Sequence, residues 1–132
     1  MASKTRYPYL AFVLDATTRA LLLERFLPQH EIVVAHHVTL VAPGKFSEHQ
    51  PFDPAPKILV HGTAQPPEVD TVAVQVNGNL IRPDGIFYHV TLSHAATARA
   101  VQAREAQPNI RLLESSPVLL LTGYVAVLDH YA

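Results

Sequence analysis

The sequence contains no cysteine. That removes disulfides, thiolate catalysis and cysteine-ligated zinc together, and it fits a reducing compartment. Charge is also scarce: charged residues make up 16% of the chain and the formal net charge is −1. No global field draws nucleic acid, so an anionic ligand must be caught locally. Long apolar runs are missing as well. The longest candidates, Val118 to Leu121 and Tyr124 to Leu128, are strand-sized and broken by Thr122 and Gly123, far short of the roughly 18 residues that cross a bilayer. The N-terminal Met-Ala-Ser-Lys-Thr-Arg has the charge of a signal-peptide n-region. The apolar segment after it, however, reaches Asp15 within a few residues and offers no small-residue cleavage site. These absences lead to the expectation of a soluble, cytoplasmic protein without a membrane partner. Neither low complexity nor a linker divides the 132 residues, so the chain reads as one domain, 1–132. With 48% hydrophobic residues, a domain of this size buries about two-thirds of its unfolded surface.

What is present is a repeat. His-Val-Thr-Leu occurs at His37 to Leu40 and again at His89 to Leu92. Composition alone places a His-apolar-Thr-apolar tetrapeptide in a shuffled chain on the order of 0.1 times. Both copies lie in β-favouring stretches. Alternation along a strand therefore sets His37 with Thr39, and His89 with Thr91, on one face, with the valine and leucine of each copy on the other.

The surrounding pattern predicts strands, two helices and turns. Tyr9 to Leu14 reads as a strand, and Ala16 to Leu27 as a helix capped by Asp15 and stopped by Pro28. Ile32 to Val41 is predicted as one strand ending at the Pro43-Gly44 turn, and Ser47 to Pro56, with its prolines, as a surface loop. Lys57 to Thr63 and Val69 to Val76 read as strands separated by Pro66-Pro67, followed by the tight turn Asn77-Gly78-Asn79. A short segment, Leu80 to Arg82, and the turn Pro83-Asp84-Gly85 lead into the strand Ile86 to Ser93. Ser93 is then the expected N-cap of a helix over His94 to Ala106, closed by Pro108-Asn109. Ile110 to Leu113 and Val118 to Asp129 finish the chain as strands. The fold class expected is α+β: a compact sandwich of antiparallel sheets with two covering helices and a central groove.

Two imidazoles on one surface suit concerted acid-base work, because imidazole alone has an unperturbed pKa near neutrality. The neighbouring hydroxyls of Thr39 and Thr91 suit the non-bridging oxygens of a phosphate whose charge builds in the transition state. His37 and His89 are therefore the candidate catalytic pair, and Thr39 and Thr91 the candidate substrate-binding donors. Lys45, just past the first motif, and Arg82, just before the second, are read first as solvated loop charges, with contact to a bound phosphate as the functional alternative. Phe87 is predicted on the side of His89, where it stacks a nucleobase, with Tyr88 in the core. Tyr124 is read first as core packing, with base stacking or a hydrogen bond to phosphate as its substrate-binding alternatives. No metal site is expected: there is no His-Glu-x-x-His, and in a regular strand His36 points away from His37 with Val38 and Leu40. His49, His61, His94 and His130 read as ordinary surface or strand histidines.

The paired motifs resemble those of the 2H phosphoesterase superfamily, which includes the 2′,5′ RNA ligase-like proteins and 2′,3′-cyclic-nucleotide phosphodiesterases. The resemblance implies a pseudo-symmetric bilobal α+β fold with the motifs facing each other across a groove, His37 and His89 as acid and base, and Thr39 and Thr91 on the phosphate. The motifs lie closer together than is usual for that family, which implies a trimmed second lobe. The activity implied is metal- and cofactor-independent hydrolysis of a nucleotide or RNA-derived phosphodiester by a monomer. Its substrate would be a 2′,3′-cyclic phosphate, a 2′,5′ or 3′,5′ linkage, or a cyclic oligonucleotide. The alternative is a non-catalytic nucleotide or RNA-end binding module that uses the same groove. The weak basic balance favours small or short ligands over long RNA.

Overall fold

The computed structural model describes residues 5–64, 68–96, 111–112 and 119–131. The chain runs β1 (Arg6–Leu14), α1 (Ala16–Arg25), β2 (Ile32–Val33), β3 (His37–Val41), β4 (Ile58–Ala64), β5 (Val69–Val76), β6 (His89–His94), β7 (Arg111–Leu112), β8 (Leu120–Leu121) and β9 (Gly123–Tyr131). Every pairing is antiparallel, in the order β7-β4-β5-β6-β3-β1-β9, with β2 on β6 and β8 on β4. One sheet thus replaces the expected sandwich of separate sheets. The reason lies at Thr122: β8 bonds β4 towards one end of the sheet and continues directly into β9, which bonds β1 at the other, so the sheet nearly closes like a barrel.

The apolar face of this sheet carries Leu10, Phe12 and Leu14 of β1, Val38 of β3, Val72, Val74 and Val76 of β5, and Val90 of β6, with Leu22 of α1 packed on them. The helix starts where the sequence places it. Asp15 caps it by accepting from the Thr18 amide at 2.7 Å, and its other carboxylate oxygen accepts from the Thr122 hydroxyl at 2.6 Å. These bonds hold the Asp15 carboxyl below the usual carboxylate range, with the Thr122 bond the largest cause. The β8–β9 junction is thereby pinned to the helix N-terminus. Just beyond it, β9 approaches β1 so closely that a Cβ on Gly123 would lie 1.9 Å from the Val13 carbonyl oxygen. Only glycine fits there.

Two expectations fail locally. The predicted strand over Ile32 to Val41 is broken into β2 and β3 by Ala35, whose φ is 43°. Ser93 is no helix cap: it lies buried within β6, donates its hydroxyl to Asp70 and accepts from the His30 amide at 3.1 Å. Strand β6 runs on to His94, where the second helix was expected to begin. Most of that helix, the Pro66-Pro67 and Pro108-Asn109 turns, and the ends of the Ile110 to Leu113 segment lie outside the described residues. The Asn77-Gly78 turn is as expected, with positive φ at both residues (51° and 84°), the requirement of the tight hairpin turn that suits this pair.

Candidate functional site

Both His-Val-Thr-Leu segments fall on adjacent central strands, β3 and β6, which pair antiparallel at Val38↔Val90. That register brings the two motifs together about a local two-fold, with His37 carried toward Thr91 and Thr39 toward His89. Because Val38 and Val90 are fully buried in the core, all four polar side chains stand on the opposite face, half-buried. The proximity is felt electrostatically, since His89 contributes to disfavouring the proton on His37.

The two-fold extends outward. On one side β1 pairs Val13, Phe12 and Ala11 with His37, Val38 and Thr39; on the other β5 pairs Ala73, Val72 and Thr71 with His89, Val90 and Thr91. In each half the register then slips by one residue directly after the threonine, so that Leu40 and Leu92 are the extra residues of matching β-bulges. A bulge re-aims the chain beside a site. Here it turns each motif strand away after its hydroxyl has been delivered. One strand further out, β9 places Tyr124 opposite Val13, whereas β4 places Gly62 opposite Ala73. The two ends of the site are therefore unequal: an aromatic stands on the His37 side and a glycine on the His89 side.

The two imidazoles are held differently. Nδ1 of His89 lies 3.0 Å from the Phe87 carbonyl oxygen. A carbonyl only accepts, so Nδ1 carries the proton, and in the neutral ring Nε2 is the unprotonated nitrogen. Nδ1 of His37 instead lies 2.9 Å from Nδ1 of His36, with the rings edge-to-face at 81°. This corrects the expectation that His36 points away. Ala35 and His36 precede the regular strand, and the left-handed turn at Ala35 swings the exposed His36 ring to the same side as His37. Burial, followed by the neighbouring His36 and His89, pushes the His37 imidazole down from 6.5 to about 4. At neutral pH it is uncharged.

Between pH 6.5 and about 4 the unfolded chain binds a proton at His37 that the folded chain refuses. Stability is therefore expected to fall as pH drops through this window, by about 3 kcal/mol in all. Urea unfolding of the protein beside a His37→Gln variant checks this, because the variant loses that part of the slope.

Of the other candidates, Tyr124 is 59% exposed, in the same row as His37 across Val13, so the core-packing assignment falls away. Phe87 lies on the side of His89 as expected, but it is 0% exposed. Its ring packs on Ala73 and Leu80 and tilts at 40° against the His89 ring, 4.8 Å away. No face is open, so the expectation that it stacks a base is corrected: it buttresses His89. Tyr88 is in the core as expected. Lys45 and Arg82 do not stand at the histidine pair in the described structure. They line a separate cleft at the end of β3. Arg82, expected as a loop charge, is buried and forked onto Asp84.

Three neighbours of the pair were not singled out from sequence. His36 was assigned to the wrong face. Tyr9 brings its ring within 5.7 Å of His37, and burial, then Asp129, pushes its hydroxyl pKa up. Thr71 lies buried opposite Thr91. Alternation from Val13 through Ala11 to Tyr9 was the available signal for Tyr9; nothing in the sequence marks the irregular backbone that brings in His36. Among the described residues no three metal-ligating side chains converge, and no helix is long and apolar enough to cross a membrane.

Comparison with family models, with curated proteins and with solved structures finds no match to this chain.

Proposed function

We propose that this chain is a metal-independent phosphodiesterase of the 2H type, hydrolysing a nucleotide or short RNA-derived phosphodiester by two-histidine acid-base catalysis. The observation that carries the reading is the local two-fold at Val38↔Val90, which gathers both imidazole-hydroxyl pairs on one face of the sheet. With a 2′,3′-cyclic phosphate bound there, His37, uncharged because of its burial, takes a proton from water as the water oxygen bonds to phosphorus. The bond from phosphorus to one ribose oxygen breaks, and protonated His89 gives that oxygen its Nε2 proton. Its Nδ1–H, held on the Phe87 carbonyl, keeps Nε2 aimed at the face throughout. Thr39 and Thr91 donate their hydroxyl protons to the non-bridging oxygens as charge builds on them. The exposed ring of Tyr124 offers a stacking surface for a base on the His37 side.

The test is a panel of 2′,3′-cyclic nucleotides, 2′,5′- and 3′,5′-linked dinucleotides and cyclic dinucleotides, assayed with a chelator present. Turnover of at least one class, undiminished by chelator, is the expected result. Binding without turnover of any would replace the enzyme with a nucleotide or RNA-end binding module, and loss of turnover on chelation would remove the metal-free mechanism.

A further inference from the structure

The cleft at the end of β3 has a volume of about 270 Å³ and is lined by Leu40, Val41 and Ala42 with Lys45, Gln50 and the turn residues Arg82 and Asp84. Its position ties it to the histidine pair. Strand β3 leaves Thr39 through Leu40 and Val41 to the turn that carries Lys45, whose amide donates to the Ala42 carbonyl at 3.0 Å. The segment from Arg82 to Tyr88 leads directly into His89. Both chain segments that meet at Thr39 and His89 therefore also meet at the cleft, whose wall begins at Leu40 beside Thr39 and whose charged end, the Lys45 turn that closes on Ala42, lies about 10 Å along the strand from Thr39. That separation is comparable to the span of one nucleoside.

The chemistry of the lining is anion-binding. Arg82 is 6% exposed, and its Nε and Nη2 bond the two oxygens of Asp84 at 3.0 and 2.7 Å. A closed turn fixes the backbone beneath it: the Arg82 amide donates to Ile86 and the Gly85 amide returns to Arg82. Among the described residues the Arg82 side chain hydrogen-bonds only Asp84, while its charge is also felt at the Tyr88 hydroxyl, so its Nη1 amino group has no hydrogen-bond acceptor there. The Asp84 carboxylate is occupied by this fork and by the Ile86 amide at 3.3 Å. Arg82 holds its carboxyl below the ordinary range. Lys45 is exposed and makes no ion pair among the described residues. The charges lining the cleft are thus Arg82 and Lys45 against Asp84, one positive charge in excess. A guanidinium locked in place with a donor pair to spare, beside a mobile ammonium, matches the oxygens of a phosphate.

We propose that this cleft is a second phosphate subsite: the substrate carries another phosphate group, one nucleoside away from the phosphodiester that lies over His37 and His89. The inference rests on the phosphodiesterase reading for its orientation, and it narrows the substrate class to nucleotides bearing at least two phosphates. The second group is either a terminal phosphomonoester or the neighbouring phosphodiester linkage of a short oligonucleotide. Both present the same oxygens to Lys45 and Arg82.

The test is calorimetric and needs no turnover. Adenosine 3′-monophosphate, adenosine 3′,5′-bisphosphate and the dinucleotide adenylyl-(3′,5′)-adenosine 3′-monophosphate are titrated into the intact protein and into Lys45→Ala, Lys45→Arg and Asp84→Asn variants. The second phosphate is expected to tighten binding about tenfold. That gain shrinks to about threefold or less in Lys45→Ala, persists in Lys45→Arg and grows in Asp84→Asn, where the Arg82 charge is no longer neutralised. A gain with the bisphosphate assigns the subsite to a monoester; a gain with the dinucleotide assigns it to the adjoining linkage. Equal affinity for all three ligands overturns the proposal, as does a gain that Lys45→Ala leaves intact. Because Lys45 is exposed, that variant folds. If no phosphodiester in the panel above is turned over while this gain stands, the catalytic reading fails and the subsite survives.

Discussion

Replacing His37 or His89 with alanine is expected to lower kcat/KM on a cyclic nucleotide phosphate by about a thousandfold, and replacing both by little more than either alone. The near-equality follows from the concerted step. Once one imidazole is gone, the other has no partner with which to move a second proton, so its removal costs little further. The residual rate is expected to come from the two threonine hydroxyls, which in this proposal still hold the phosphate. The single variants are expected to share one dependence on pH. In the unsubstituted protein the acidic limb of kcat/KM is expected near pH 4, where the buried His37 takes up its proton. His37→Ala and His89→Ala are each expected to lose this limb, since neither residual rate runs through an imidazole. Steady-state kinetics across pH 3.5 to 9 on the four proteins checks both points. A double variant that loses the product of the two single effects would mean two independent sites.

Alanine at Phe87 is expected to be the most damaging single change away from the reacting groups. The side chain is fully buried, and removing a buried phenyl ring costs about 3 kcal/mol or more. The same ring lies against His89, and its own carbonyl fixes the tautomer of His89. Phe87→Ala is therefore expected to lower kcat, because the loosened imidazole samples poor geometries for proton donation. KM should change little, since no face of the ring is open to substrate. Phe87→Leu, which refills most of the space, is expected to recover stability first and kcat only in part. Chemical denaturation with parallel kinetics separates the two effects. A rise in KM with kcat unchanged would return Phe87 to the role of a base-stacking residue.

Much of the site was legible because strand alternation is a strong rule. Two copies of a four-residue motif, each on a strand, were enough to put His37, Thr39, His89 and Thr91 on the face opposite Val38 and Val90. The Asp15 cap and the Asn77-Gly78 turn were legible for similar reasons: each depends on local chemistry within three or four residues. What was not legible depends on non-local backbone. The single, nearly closed sheet follows from β8 running through Thr122 into β9, a connection between opposite ends of the sheet that no local pattern announces. His36 was misplaced because one left-handed residue, Ala35, breaks the alternation on which its assignment rested. Phe87 obeyed alternation but was misjudged on exposure, since Leu80 and Ala73 close over it from a hairpin whose packing is set in three dimensions. The matching bulges at Leu40 and Leu92 were likewise invisible, although they turn both motif strands at the same point.

The central claim is that the two motifs build one phosphate site, and ring-nitrogen NMR of His37 and His89 during titration with adenosine 2′-monophosphate tests it most directly. The account predicts that the Nε2 signals of both histidines move together and saturate at the same ligand concentration, with the His89 Nδ1 proton retained throughout. Movement of only one histidine, or two different saturation points, would contradict it.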